Sequence, residues 1–294
     1  MSRLQQDRIT VPGLRGRKNT PEKIVALTAY DFPTARALDQ AGVDILLVGD
    51  SLGMVVLGHD STLPVTLDVM LHHTAAVARA RTRALVVGDM PFLSYHTGPA
   101  DAVRNAGRFL QEAGAQAVKL EGGRARAATV AAVVEADIPV MGHIGLTPQA
   151  VNSMGGYRVQ GRSLDQVELL LDDARALCDA GVFSIVLEGI PAAVAKLITQ
   201  SVPVPTIGIG AGPDCDGQIL VLHDMAGMSS TTPARFVRRY ADLSQALAQA
   251  AAAFAADIRS GSYPSEKESY PTPPELERAL DERLAARRDP ARRV

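Results

Sequence analysis

Leu46-Leu47-Val48-Gly49-Asp50, Leu85-Val86-Val87-Gly88-Asp89, Val118-Lys119-Leu120-Glu121 and Ile185-Val186-Leu187-Glu188 are four short apolar runs, each ending in an acid. A strand buried on both faces is apolar throughout, as in parallel sheets covered by helices. An acid repeated at the C-terminal tip is best explained if the tips meet at one site. That is the layout of an α/β fold of the (β/α)8 barrel type, whose chemistry sits on the C-terminal rim.

Working outward, eight such runs alternate with helical patterns. Strands are expected near 24–28, 44–49, 84–88, 116–121, 138–143, 183–188, 204–209 and 218–222. Helices are expected near 32–41, 66–81, 99–113, 124–136, 164–180, 191–200 and 232–258. Gly42, Gly114 and Gly181 follow helical stretches, where glycine accepts the left-handed turn that stops a helix. Parallel neighbours need long crossovers, and the helices supply them. An open doubly wound sheet is the rival architecture. It would gather acids near one switch point, whereas here they are spread over many strands.

The expected organisation is one barrel over residues 1–260 with short N-terminal and C-terminal extensions, then a linker and charged tail over 261–294. The tail from Pro274 is read as solvated or disordered, with helix as the alternative. Two connections are long, 51–65 and 144–163, and loops of that length in a compact domain usually serve binding or gating.

Composition narrows the function. With 30 basic against 32 acidic side chains, net charge is −2, which favours neither nucleic acid nor anionic membrane as a partner. Aromatic content is 4% with no Trp, so base-stacking platforms are not expected. Met1 to Lys18 carries no apolar core of signal-peptide length, and no run approaches the length of a membrane span. Cys178 and Cys215 lack metal-ligand spacing and suit a reducing cytosol; Cys178 reads as packing, Cys215 as a member of an open Gly/Asp loop.

Asp50, Asp89 and Glu121 end successive strands. Adjacent rim carboxylates repel unless a cation sits between them, and an all-oxygen set suits a hard ion such as Mg2+ rather than zinc. The competing reading makes each acid a helix cap. Lys119 shares a strand face with Glu121. Buried there, it either pairs with Glu121 or binds a substrate carboxylate. Glu188 follows a wholly apolar run, where desolvation raises a carboxyl pKa and makes a general base; helix capping ahead of Pro191 is its alternative. His143, closing strand five, either donates to a substrate oxygen or sits satisfied in the core. His72-His73 is not a ligand pair, because adjacent helix residues do not face each other. Gly208-Ile209-Gly210-Ala211-Gly212 ends strand seven and is a weak anion-site signal.

Longer motifs carry a resemblance. Val48 to Met54, Val118 to Gly123, Gly142 to Gln149, Gly155 to Arg162 and Pro205 to Gln218 are similar to the ketopantoate hydroxymethyltransferase (3-methyl-2-oxobutanoate hydroxymethyltransferase) family, over roughly residues 22 to 270. The resemblance implies transfer of a hydroxymethyl group from 5,10-methylenetetrahydrofolate to the 2-oxo acid 3-methyl-2-oxobutanoate, giving 2-dehydropantoate on the route to pantothenate. It implies Asp50, Asp89 and Glu121 at a magnesium site, and Asp50, Ser51, Asp89 and Lys119 at the substrate. It makes Glu188 the proton acceptor, and it implies a cytoplasmic homo-oligomer, a decamer. Gly189, Gly88 and the tail after about Tyr270 depart from the family pattern. The rival within enzymes is another Mg2+-dependent barrel acting on 2-oxo acids, such as an isocitrate-lyase-like lyase, whose Lys-Lys-Cys-Gly-type loop is absent here.

Overall fold

The computed structural model describes residues 8–229 and 234–288. Eight parallel strands close in chain order: β1 (Ile24–Thr28), β2 (Ile45–Val48), β3 (Leu85–Asp89), β4 (Ala117–Glu121), β5 (Val140–Gly145), β6 (Ser184–Glu188), β7 (Thr206–Ile209) and β8 (Gly217–Leu220). β8 pairs back onto β1, with Ile24 opposite Gly217. The fold is the (β/α)8 barrel, and the open sheet is excluded by that closure.

The alternation of side chains along each strand sorts the core into two layers. Leu46, Val48, Val86, Val118 and Leu120 face outward into the strand–helix layer. Ile45, Leu47, Leu85, Val87, Ala117, Met141 and Val186 fill the interior, joined by Leu14 from the short helix Val11–Arg15. Continuing the inward parity by two residues reaches Asp89, Lys119, His143 and Glu188, and by two more on β4 reaches Glu121. The interior is therefore apolar lower down and ionisable at its C-terminal end.

Local signals set the crossover helices. Asp31, Thr66 and Ser163 cap helices Phe32–Gln40, Leu67–Ala78 and Leu164–Asp179, each accepting from a backbone N–H in the first turn. Pro99 opens helix Pro99–Gln111, where its missing N–H costs nothing. The two long connections are not structureless: Leu52–Val55 is a helical turn in the first, Pro148–Ala150 and Val151–Met154 in the second.

At the opposite end, Asp216 fastens three segments. It accepts from Lys18 Nζ at 2.9 Å, Asn19 N at 3.1 Å and Thr206 N at 2.8 Å. Burial opposes its ionisation, but the Lys18 contact and the two amides outweigh it and hold its pKa below the usual value. A depressed carboxylate pKa contributes stability that is complete above about 3.9 and lost as pH falls through the folded value. Asp216→Ala is expected to cost about 3 kcal/mol at pH 7, because it strands a largely buried ammonium. Urea unfolding checks this, and the deficit against wild type should shrink in acid.

Several expectations are corrected. The last expected helix, 232–258, runs instead over Leu243–Ser260, and residues 232 and 233 lie outside the described residues. The chain separates into two compact units between Ala241 and Asp242, and this helix lies in the second. None of its positions is fully buried, and Phe254 packs against Tyr263, with ring centroids 5.3 Å apart. The tail is helical over Pro274–Arg288 rather than disordered, with Glu275 and Glu277 in the first turn where they complement the helix dipole; residues 289–294 lie outside the described residues. Cys215 is fully buried, not loop-exposed. In the glycine run, Gly212 has φ 77°, and a Cβ there would sit 2.4 Å from the Ala192 Cβ. Close packing explains that glycine without an anion.

Candidate active site

Seven side chains singled out from sequence line one cavity of about 100 Å3 at the C-terminal end of the barrel: Asp50, Ser51, Asp89, Lys119, Glu121, His143 and Glu188. Asp50, Asp89, Lys119, Glu121 and His143 are only 2–5% exposed. At this burial each charge must be answered by a partner.

Strand register supplies the answers. Asp89 on β3 lies opposite Lys119 on β4, and Lys119 Nζ donates to both Asp89 oxygens at 2.6 and 2.8 Å. Glu121 Oε1 is more distant, at 3.9 Å. The main partner of Lys119 is thus the neighbouring strand's acid, not the same-strand acid that spacing suggested. Burial opposes the ammonium, but the carboxylates of Asp89, Glu121 and Asp50 outweigh it and raise the Lys119 pKa. Glu121 lies opposite His143 on β5. His143 Nδ1 is 3.5 Å from Glu121 Oε1, and Nε2 is 3.1 Å from Glu188 Oε2. β5 continues two residues past His143, so this histidine lies within the strand rather than closing it. Burial and the Lys119 charge disfavour its protonation, yet the contacts with Glu121 and Glu188 raise its pKa to about 9. Glu121, pushed up by burial, is held below its usual value by His143 and Lys119.

Asp50 lies past the end of β2. Burial first, then the charges of Asp89 and Glu121, push its carboxyl well above the usual range. Its Oδ2 accepts from Gln149 Nε2 at 2.9 Å, and its backbone N–H reaches Asp89 Oδ2 at 3.3 Å. Ser51 Oγ shares a hydrogen bond with the Tyr30 hydroxyl at 3.0 Å.

Two residues escaped the sequence reading. Gln149 donates from its side chain to Asp50 and the Met90 carbonyl, and from its backbone to Glu121 Oε2 at 3.0 Å. Tyr95 donates to Gln149 Oε1 at 2.6 Å and accepts from the Glu121 amide at 3.2 Å. Together they brace the acids of two strands. Gln149 lay inside a quoted motif without a role; nothing in the sequence around Tyr95 marks it.

The donors around the cavity bear on whether it can hold a hard divalent cation. Among the described residues no three acidic, His or Cys side chains stand in a ready coordination arrangement. The charge census nonetheless favours one. Four carboxyl groups face the cavity against two cationic partners, Lys119 and His143, and the raised pKa of Asp50, caused by burial and by Asp89 and Glu121, marks a negative charge that lacks a partner. Glu121 Oε1 is buried without a hydrogen-bond partner. An all-oxygen set with surplus negative charge and an orphaned lone pair suits Mg2+.

A closed parallel barrel with buried carboxylates and a buried lysine at the C-terminal ends of its strands defines a barrel enzyme with a small polar reaction pocket. A sequence model described as ketopantoate hydroxymethyltransferase matches residues 8–266. The 3-methyl-2-oxobutanoate hydroxymethyltransferase of Carboxydothermus hydrogenoformans is 56% identical over 270 residues, covering 92% of this chain and 98% of that one. That of Koribacter versatilis is 53% identical over 276 residues, covering 94% of each. The chain belongs to the ketopantoate hydroxymethyltransferase family and is a hydroxymethyltransferase. Among solved structures, a 2,3-dimethylmalate lyase of the PEP mutase/isocitrate lyase superfamily superposes with TM-score 0.57 at 21% identity, covering 94% of this chain and 96% of that one. A phosphonopyruvate hydrolase complexed with oxalate and Mg2+ gives 0.58 at 16%, with the same coverage. These share the barrel.

Proposed function

We propose that the protein transfers a hydroxymethyl group from 5,10-methylenetetrahydrofolate to 3-methyl-2-oxobutanoate, giving 2-dehydropantoate for pantothenate synthesis. The observation that carries this is the convergence of four acids, Lys119 and His143 on one small cavity, in a chain whose relatives bear that enzyme's name. The cavity suits a small acid rather than a drug-sized ligand, which takes roughly 300 Å3 or more.

In this reading Glu188 accepts the C3 proton of the 2-oxo acid, with His143 at 3.1 Å to orient it and to share the proton's charge. Lys119, held protonated by its neighbours, offsets the substrate carboxylate. Ser51 adds a hydroxyl at the substrate, braced by Tyr30. Asp50, Asp89 and Glu121 would hold Mg2+. When bound, that ion supplies Lewis-acid stabilisation of negative charge on the substrate's keto oxygen, worth several kcal/mol. C3 bonds to the donor's methylene carbon as the first of that carbon's two carbon–nitrogen bonds breaks. Water adds its oxygen to the same carbon as the second breaks, and the two folate nitrogens take up the C3 proton and one proton of the water, so that tetrahydrofolate leaves. The connections 51–65 and 144–163 close over the pocket to exclude water from the carbanionic stage. The reading includes a cytoplasmic homo-oligomer, the decamer implied by the family resemblance; no helix among the described residues is long and apolar enough to cross a membrane.

With Mg2+ and 3-methyl-2-oxobutanoate in D2O, deuterium is expected to enter at C3, followed by proton NMR. Adding the methylene donor should give 2-dehydropantoate. Absence of exchange under every folate condition would overturn the assignment.

A further inference from the structure

A second cavity, of about 470 Å3, adjoins the reaction pocket. Glu121 lines both, and consecutive residues divide between them: Pro148 faces the small pocket, Gln149 the large one. Its volume falls in the range of sites for drug-sized organic ligands. Nothing in the chemistry at Glu188 requires it.

Its walls have a distinct character. Tyr95 and His96 rings lie 4.2 Å apart between centroids at 34°, and Phe92 lies 5.4 Å from His96. This is an aromatic cluster in a chain with few aromatic residues, gathered on the segment that follows β3. His96 Nδ1 is buried without a hydrogen-bond partner. Burial, then the Arg126 charge, lowers the His96 pKa, which keeps the ring neutral and able to donate or accept. Arg126 lines the cavity, half-buried, and its guanidinium makes no hydrogen bond or ion pair among the described residues. Gly122 makes room for it. That residue has φ 116°, and a Cβ there would meet the Arg126 Cγ at 2.7 Å.

We propose that this cavity receives the pterin–aminobenzoyl body of the folate donor, stacked along Phe92, Tyr95 and His96, with Arg126 taking a carboxylate of its glutamate end. The proposal rests on the hydroxymethyl-transfer reading and adds to it the place of the second substrate. A planar heteroaromatic ring matches the aromatic wall. A ligand with hydrogen-bonding ring nitrogens answers the unpartnered His96 nitrogen. An anionic end answers a guanidinium without a partner. Transfer demands that the one-carbon end face the 2-oxo acid, which puts that end at the Glu121 wall shared by the two cavities.

The test uses the full-length protein with Mg2+ and measures tetrahydrofolate binding by calorimetry. Arg126→Ala is expected to weaken tetrahydrofolate about tenfold or more, the loss of one charge-assisted contact, with partial recovery in Arg126→Lys. Ala125→Trp, at an exposed lining position, should block binding by filling the cavity. 6-Methyltetrahydropterin, which lacks the aminobenzoyl-glutamate, should lose affinity in Ala125→Trp but not in Arg126→Ala. In both variants affinity for 3-methyl-2-oxobutanoate should move less than about twofold, which separates a donor site from general disruption, and thermal melting confirms folding. If the wild-type chain exchanges C3 hydrogen yet neither variant alters tetrahydrofolate binding, the donor site is overturned and the reaction stands. If the wild type neither exchanges nor binds tetrahydrofolate, both fall.

Discussion

Glu188→Gln is expected to slow C3 hydrogen exchange by about 10²–10⁴-fold, the usual contribution of a positioned general base. The amide keeps the shape and the neighbour His143 but cannot accept a proton. Glu188 is the least enclosed of the four carboxylates, with its side chain 17% exposed. Its loss should therefore leave the melting temperature almost unchanged, since the buried Asp89–Lys119 pair is untouched. NMR exchange rates in D2O and a thermal melt check the two halves. A variant exchanging within about tenfold of wild type would fall below that range and require a different base. His143 is then the group to examine, being the nearest other proton carrier.

Asp89→Ala should cost more in folding than any other single change at the pocket. Lys119 Nζ would lose both of its short contacts, and breaking a buried pair from one side costs about 3–5 kcal/mol. Mg2+ affinity should fall at the same time if Asp89 is a ligand. The two losses can be separated. In the double variant Asp89→Ala/Lys119→Met the stranded ammonium is gone, so much of the folding stability should return. Mg2+ binding should not. Urea unfolding and calorimetric titration read the two quantities independently. Recovery of Mg2+ binding in the double variant would show that Asp89 serves only to neutralise Lys119, and would remove it from the metal site.

The strands were legible because burial on both faces leaves a mark that survives without an alignment: runs such as Leu85-Val86-Val87 with no polar member. Their number and order followed, and the boundaries shifted by no more than two residues. The final helix was placed too early: its onset is set by the Asp242 cap, whose side chain accepts from Gln245 N. In the tail, high charge resembles disorder, yet Glu275 and Glu277 stand in the first turn, where they complement a helix dipole, and the helix that forms stays exposed to solvent. Gln149 carries no charge and Tyr95 no motif. Their roles arise only where the connections after β3 and β5 meet over Glu121.

By itself the sequence determined which strands exist and which side chains share a face. Period-two alternation places Asp89, Lys119, Glu121, His143 and Glu188 with the interior residues, as a short-range consequence of backbone geometry. Asp50 shows where that reasoning stops. Its parity matches the outward-facing Leu46 and Val48, and it enters the pocket only because the chain has left β2 before reaching it. Register between strands chose Asp89 for Lys119 and His143 for Glu121. Those pairings join residues distant along the chain. Only closure of the barrel brings them within reach, and only in its dry interior do such contacts set the charge each group carries.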